Sequence, residues 1–393
     1  MKTKSRLLFA LFLAFCMRSA IAVEWPVVTQ DIPPQLQLKG KPLRAIGVNY
    51  YNSFLRVLRN PEDKSYQKGF DILSKRGIPF VRFVLCGFFP EDMKLYLLQR
   101  ERFFALLDEY VRTAEQRGIG LIPSFFFAYW QVPDIVGEPM QAWSDPNSET
   151  LAFMRRFTEE VVTRYKNSPA IWGWEFGNEM AYYVDIGPAA RPRLAPLRGT
   201  PRYRTSRDDL RSQDMSVAQR EFARSVRRID STRLISTGNA LPRADAFQTS
   251  HRGDQRNDSR DEFFTILNRD NPEDYNAHSL HLYPHSRYFR GENSGFSTGS
   301  LMQLITEHAH AQGQVLFVGE FGVPTKLDLD PIEERRRFGV ILDGIVSSGV
   351  PLSAVWDFDH DPEFDAHWNT YAPKRRYQLD AVERLNRDFA GHD

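Results

Sequence analysis

Two carboxylates stand out because of the residues that lead up to them. The stretch Ile171-Trp172-Gly173-Trp174-Glu175-Phe176-Gly177-Asn178-Glu179-Met180 begins as an apolar run and ends in a Glu beside an Asn. Val315-Leu316-Phe317-Val318-Gly319-Glu320-Phe321-Gly322 has the same form. Such runs read as strands buried on both faces. Each Glu then lies where its strand ends. Two carboxyl groups converging on one bond suit the cleavage of an acetal. One protonates the leaving oxygen while the other attacks the anomeric carbon or activates water. A lone Glu at a strand end is more simply a solvated terminus. Two on one chain, with suitable partners, point to glycoside hydrolysis.

The elements that must position them alternate along the chain. Strands are expected at 44–50, 78–84, 119–125, 170–176, 233–237, 276–282, 315–318 and 351–356. Helices are expected at 65–75, 103–114, 151–165, 217–229, 301–311 and 377–389, with a further one opening at Asp330. Gly77 and Gly118 are placed to stop the first two. Asp330 reads as an N-cap, with Pro331 at the first helical position and Glu333 closing a capping box. The lead-in 24–41 and the stretches 182–215 and 238–260 read as loops. Eight strand–helix repeats predict an α/β fold, a (β/α)8 TIM barrel in one domain over 23–393, with long βα loops. In that fold the active groups sit at the C-terminal ends of the strands.

Composition narrows the class. Hydrophobic content of 42% and charged content of 26% are ordinary for a globular protein, whereas aromatic content of 13% is high. Lys2, Lys4 and Arg6, the apolar run Leu7–Cys16 and the small-x-small Ala20-Ile21-Ala22 read as a signal peptide over 1–22. A secreted or periplasmic protein is therefore expected. A lipoprotein anchor through Cys16 is disfavoured by Phe15, which occupies a position that wants a small residue. The leader holds four basic residues and no acid, so its removal takes the formal charge from +1 to −3. A weakly acidic chain is a poor nucleic-acid ligand, and no further stretch is apolar enough to span a membrane. Only Cys86 remains after cleavage, so no internal disulfide is expected. The reaction calls for no cofactor and no metal, and a monomer is expected.

The motifs Trp174-Glu175-Phe176-Gly177-Asn178-Glu179, His281-Leu282-Tyr283 and Gly319-Glu320-Phe321-Gly322, together with Trp356, resemble glycoside hydrolase family 5, the cellulase and mannanase family of retaining barrel enzymes. The resemblance runs from about Gly47 to Trp356. It implies that Glu179 is the acid/base and Glu320 the nucleophile. It further implies that Asn178 binds the sugar 2-hydroxyl, that Arg82 keeps the nucleophile ionised, and that Tyr283 hydrogen-bonds it, with His281 alongside. Trp356 would floor the subsite of the cleaved sugar. An ion pair with Glu175 is a simpler role for Arg82, and both roles are compatible. Two departures bear on the substrate. The His that the family commonly carries after the third strand is absent, and Pro123-Ser124-Phe125-Phe126-Phe127 stands there instead. Tyr129 and Trp130 are expected to take over that wall. The familiar Asn-Glu-Pro is here Asn178-Glu179-Met180.

Other readings of the same residues are weaker. His278, His281 and His285 suggest a metal site by spacing, but on a strand residues 278 and 281 face opposite sides. A sugar-binding barrel without activity would keep the cleft and lose a Glu, yet both are present. The expected partner is a β-linked polysaccharide or oligosaccharide of the β-1,4-glucan or mannan type. Endo action and exo action both suit the constellation.

Overall fold

The computed structural model describes residues 24–186, 198–201, 203–284, 288–291, 296–324, 329–359 and 368–391. The expected leader with Cys16, and His285, lie outside the described residues. Eight parallel strands form a nearly closed barrel: β1 Ala45–Asn49, β2 Phe80–Val84, β3 Gly120–Phe126, β4 Gly173–Gly177, β5 Leu234–Ser236, β6 Ala277–Leu282, β7 Val315–Phe321 and β8 Leu352–Val355. Their order is β5-β4-β3-β2-β1-β8-β7-β6. Side chains stitch the remaining seam between β5 and β6. The backbone N–H of Ile235 donates to Asn276 Oδ1 at 2.7 Å, and Asn276 Nδ2 donates to the carbonyl of Arg233 at 3.1 Å.

Alternation along the strands sets up the site. The lower interior holds Ala45, Phe80, Ile122, Leu234, Ala277, Val315, Phe317, Leu352 and Ala354. One or two inward positions further on, the lining turns polar, with Asn49, Arg82, Ser124, Glu175, Ser236 and His281 all buried. The lead-in, expected as a loop, forms a small antiparallel sheet of Val27–Val28, Leu36–Leu38 and Lys41–Pro42. Its Val28 and Leu36 pack on the apolar lower interior.

Strand β7 departs from simple alternation, and the departure aims a catalytic-type residue. Val318 pairs with Leu280, but Glu320 pairs with the very next residue, His281, so the register slips at Gly319. Without this bulge Glu320 would follow Val318 outward; with it, Glu320 turns inward beside His281. A side chain at 319 would come within 3.1 Å of His281 Nε2, so glycine also makes room for the imidazole.

The helices match the expected pattern with several differences. Helices at Ser53–Arg59, Lys94–Leu98, Gln131–Val136, Ala246–Arg252 and Arg260–Asp270 occur where no helix was located from the sequence. The first four are short and lack a side-chain cap, which hides them from sequence patterns, whereas the last opens on Ser259, whose hydroxyl accepts from the Glu262 N–H. The long loop after β4 ends sooner than its composition suggests, at the helix Ser212–Arg227. At Asp330 the cap itself is present, donated to by Ile332 N–H at 2.9 Å. Glu333 does not close the box; it pairs with Arg336 and Arg337 at 2.6 and 2.8 Å instead. Two guanidiniums one turn away outcompete one backbone N–H for its oxygens. The loop after β4 is pinned to the β3 side of the mouth. Arg204 makes bonds of 2.6 and 2.8 Å to the two oxygens of Asp134, and the pair is 5% and 0% exposed. Among the described residues, no helix is long and apolar enough to cross a membrane.

Candidate active site

Arg82, on β2, is the hub. Its side chain is 1% exposed, and a charge so buried is tolerated only when paired and hydrogen-bonded. Nε donates to Glu175 Oε1 at 2.7 Å, and Nη1 donates to Glu320 Oε1 at 2.7 Å and to Asn49 Oδ1 at 2.9 Å. Nη2 donates to Asn178 Oδ1 at 2.8 Å. The two roles weighed for Arg82 therefore hold together, through different nitrogens. Asn49 passes the constraint on, since its Nδ2 donates to the Gly319 carbonyl at 2.9 Å, at the bulge itself. Asn178 spends its oxygen on Arg82, which leaves its Nδ2 donor for a ligand.

Glu320 is held at both oxygens. Oε1 accepts from Arg82, and Oε2 accepts from the Tyr283 hydroxyl at 2.5 Å, with His281 Nδ1 3.4 Å away. Burial, reinforced by the charges of Glu320 and Glu179, raises the Tyr283 phenol well above its usual range. Tyr283 thus stays a donor.

Glu179 has a different environment. It lies just past β4 with φ +50°, a left-handed conformation unusual for a residue with a side chain. Its side chain is 28% exposed, and its Oε1 lies 2.8 Å from His281 Nδ1. Burial raises its carboxyl above the ordinary value, and the charge of Arg82 opposes this only in part. His281 is pushed down to about 3, first by burial and then by Arg82 against the opposing pull of Glu320. It is therefore neutral at working pH. Its Nε2 has no partner. An orphaned buried N–H is rarer than an orphaned acceptor, so the proton belongs on Nδ1, donated to Glu179.

The closest ligand-type atoms of Glu179, His281 and Glu320 all lie within 4.8 Å of one another. That grouping raises the question of a metal ion. Both oxygens of Glu320 are already engaged, one by a guanidinium, and a dication would be set beside that fixed positive charge. The donor set fits acid–base chemistry better. The three-His alternative fails on geometry. His278 faces the helix layer, its ring 5.8 Å from that of His308, while His281 faces the carboxylates.

The remaining expected residues divide. Trp356 follows β8 and is half-buried, stacked on Tyr51 with centroids 5.0 Å apart and planes at 18°. Trp130, on the loop after β3, is half-buried. Its indole N–H donates to the Phe88 carbonyl at 2.9 Å, and its ring packs on Phe89 and Tyr129. The ring over Arg82 is that of Phe127, 5.8 Å from the guanidinium carbon. Ser124 is buried and donates to the Gly177 carbonyl at 2.9 Å. Asn49, Tyr51, Phe88 and Phe127 were not foreseen as site residues. Asn49 had a signal, as the one polar side chain ending an apolar strand; the three rings had none in so aromatic a chain.

A family model described as Cellulase (glycosyl hydrolase family 5) matches residues 37–358. The chain belongs to that family. A mannan endo-1,4-beta-mannosidase A from Podospora anserina is 38% identical over 80 residues, 19% of this chain and 21% of the relative, so the match spans about a fifth of that protein. Among solved structures, an endo-beta-1,4-mannanase from Thermotoga petrophila superposes with a TM-score of 0.61 at 14% identity, covering 90% of this chain and 78% of the other. An endo-1,4-beta-mannanase from Rhizomucor miehei gives 0.59 at 19% identity, covering 91% and 99%. At these identities the structures establish the shared barrel fold.

Proposed function

We propose that this family 5 member is a retaining β-glycoside hydrolase acting on β-1,4-linked polysaccharide or oligosaccharide, with Glu320 as nucleophile and Glu179 as acid/base. One observation carries the reading: two neighbouring carboxyl groups are held in different surroundings, one by a guanidinium and a phenol and the other by an imidazole. Glu320 accepts hydrogen bonds at both oxygens from Arg82 and Tyr283, an arrangement that suits an attacking carboxylate. Glu179 faces a neutral His281 and has a raised pKa, as a proton donor requires.

In the first step Glu320 attacks the anomeric carbon as Glu179 protonates the departing glycosidic oxygen. In the second, Glu179 takes a proton from water, which attacks the glycosyl ester and releases Glu320. The Nδ2 of Asn178 suits the 2-hydroxyl, a contact that strengthens as positive charge develops on the ring. Trp356 supplies the floor beneath it. One oxygen of each carboxyl lies within 4.8 Å of the other, an approach that accords with the retaining spacing of about 5–5.5 Å between the groups.

Mannan is placed ahead of glucan because the 38% match is with a protein named as a mannan endo-mannosidase. Export by the N-terminal leader and a monomeric state belong to the same proposal and rest on the sequence. Proton NMR of the first-formed sugar, with β-1,4-mannan and β-1,4-glucan oligosaccharides as substrates, tests the reading. The β-anomer is expected before mutarotation, whereas an initial α-anomer overturns the double displacement.

A further inference from the structure

The β3 side of the mouth is chemically unlike the sides formed by β4, β6 and β7. Those strands bring polar groups to the centre, in Asn178, Glu179, His281, Tyr283 and Glu320. Strand β3 brings a ring. The Ser124 hydroxyl is committed to the Gly177 carbonyl, and the Trp130 N–H to the Phe88 carbonyl. Phe125 and Phe126 turn outward, each packing on Phe157 and Phe222 of the helix layer. Phe127 alone of that run sits over Arg82, and Phe88 fixes it edge-to-face with centroids 5.1 Å apart. It is half-buried, so part of it remains open to a ligand.

The position of this ring relative to Asn178 has a consequence for recognition. Arg82 bonds Glu320 with Nη1 and Asn178 with Nη2, and Phe127 covers its guanidinium. If Glu320 meets the anomeric carbon and Asn178 meets the 2-hydroxyl, the next ring position on the β3 side is carbon 3. We propose, resting on the glycosidase reading above, that Phe127 is a specificity-determining residue that leaves the 3-hydroxyl of the sugar at the cleaved bond unread. Among the described residues of β3 and its loop, the Ser124 hydroxyl and the Trp130 N–H are both spent on carbonyls, so that edge meets an aromatic face. Its substrate class therefore extends to glycosides lacking the 3-hydroxyl. The 2-position, by contrast, is read by Asn178.

Inhibition by aryl β-1,4-disaccharides with sulfur at both glycosidic positions tests this, because sulfur resists cleavage and holds the ring beside the aryl group in the subsite of the cleaved bond. The parent is compared with its analogue deoxygenated at carbon 3 of that ring, in both the manno and the gluco series. Loss of a hydroxyl that is hydrogen-bonded to protein weakens binding by roughly tenfold, whereas loss of an unread one changes it by about twofold or less. Wild type is expected to bind parent and analogue within about twofold, and Phe127→His, which restores a donor, is expected to favour the parent by at least about fivefold. A tenfold loss in wild type overturns the proposal whether or not the variant folds. Failure of every thioglycoside to bind wild type, in both series, overturns the glycosidase reading itself and is distinguished by the absence of inhibition by the parents.

Discussion

On β4, β6 and β7 the barrel mouth presents Asn178, Glu179, His281, Tyr283 and Glu320, joined by hydrogen bonds of 2.5–2.8 Å to one another or to Arg82. From β8 through β1 and β2 to β3 it presents Trp356, Tyr51, Phe88 and Phe127, each ring in contact with the next at centroid distances of 5.0–6.2 Å. The polar half is directional. Its donors and acceptors have one workable arrangement, and a displaced partner leaves a buried charge or dipole exposed to the full cost of desolvation. The aromatic half is tolerant, since ring packing depends on area and approximate orientation. The first half suits the control of charge during reaction, and the second suits holding a sugar ring against the site. Arg82 belongs to both, bonded within the polar half and covered by Phe127.

This division predicts that substitutions in the polar half act on kcat and those in the aromatic half act on KM. The largest of the three effects expected here belongs to Glu179→Gln, which should slow cleavage of unactivated glycosides by about 10²–10⁴-fold. Its pH behaviour has a definite sign. A raised pKa keeps the Glu179 carboxyl protonated to higher pH than an ordinary carboxylate, so kcat/KM of the wild type falls as pH rises through that value. The variant should lose this basic limb. With an activated aryl leaving group it should recover rate on addition of azide, which replaces the activated water. A basic limb that survives in the variant would assign it to another group.

Arg82→Lys comes next. Lysine keeps the charge, but three rotatable donors on one nitrogen cannot replace a planar fork that makes four bonds in fixed directions. A loss of kcat on the order of 10²–10³-fold, with KM changing by only about a few fold, is expected from the disruption of a buried pair. Circular dichroism establishes that the variant is folded. A rise in KM alone would place Arg82 on the binding side of the division.

Tyr51→Leu should act in the opposite sense and more weakly. It removes the ring stacked on Trp356 and should raise KM about 2–12-fold with little change in kcat, the range expected for one aromatic pair. A fall in kcat without a change in KM would show that the aromatic half also controls the reacting groups.

The same two halves differ in how much of them was legible in the sequence. Glu179 and Glu320 were readable because a carboxylate ending an apolar run is chemically conspicuous. Arg82, Asn178, His281 and Tyr283 followed through their motifs, and the structure brings all six together. The bulge that turns Glu320 inward left only Gly319 as a trace. The aromatic half was poorly legible because 29 Phe, 15 Tyr and 7 Trp residues offer too many candidates. In the run Phe125-Phe126-Phe127, two rings serve the core and one the mouth, and a difference of one position at a strand end decides which. Trp130, on the loop after β3, donates its indole N–H to the Phe88 carbonyl. The barrel itself was readable from alternation, apart from short helices whose ends lack capping signals and the helix Arg260–Asp270, whose capping box of Ser259 and Glu262 went unread at the end of a stretch taken as loop.

The division of labour between Glu179 and Glu320 is tested most directly by trapping the covalent intermediate. A 2-deoxy-2-fluoro β-glycoside with an activated leaving group slows both steps, while the good leaving group keeps the first faster than the second. Intact-mass spectrometry should then show one added glycosyl unit, and peptide mapping should locate it on Glu320 as an ester. The Glu320→Gln variant should take no label. A label on Glu179, or inactivation without an ester on either residue, would contradict the account.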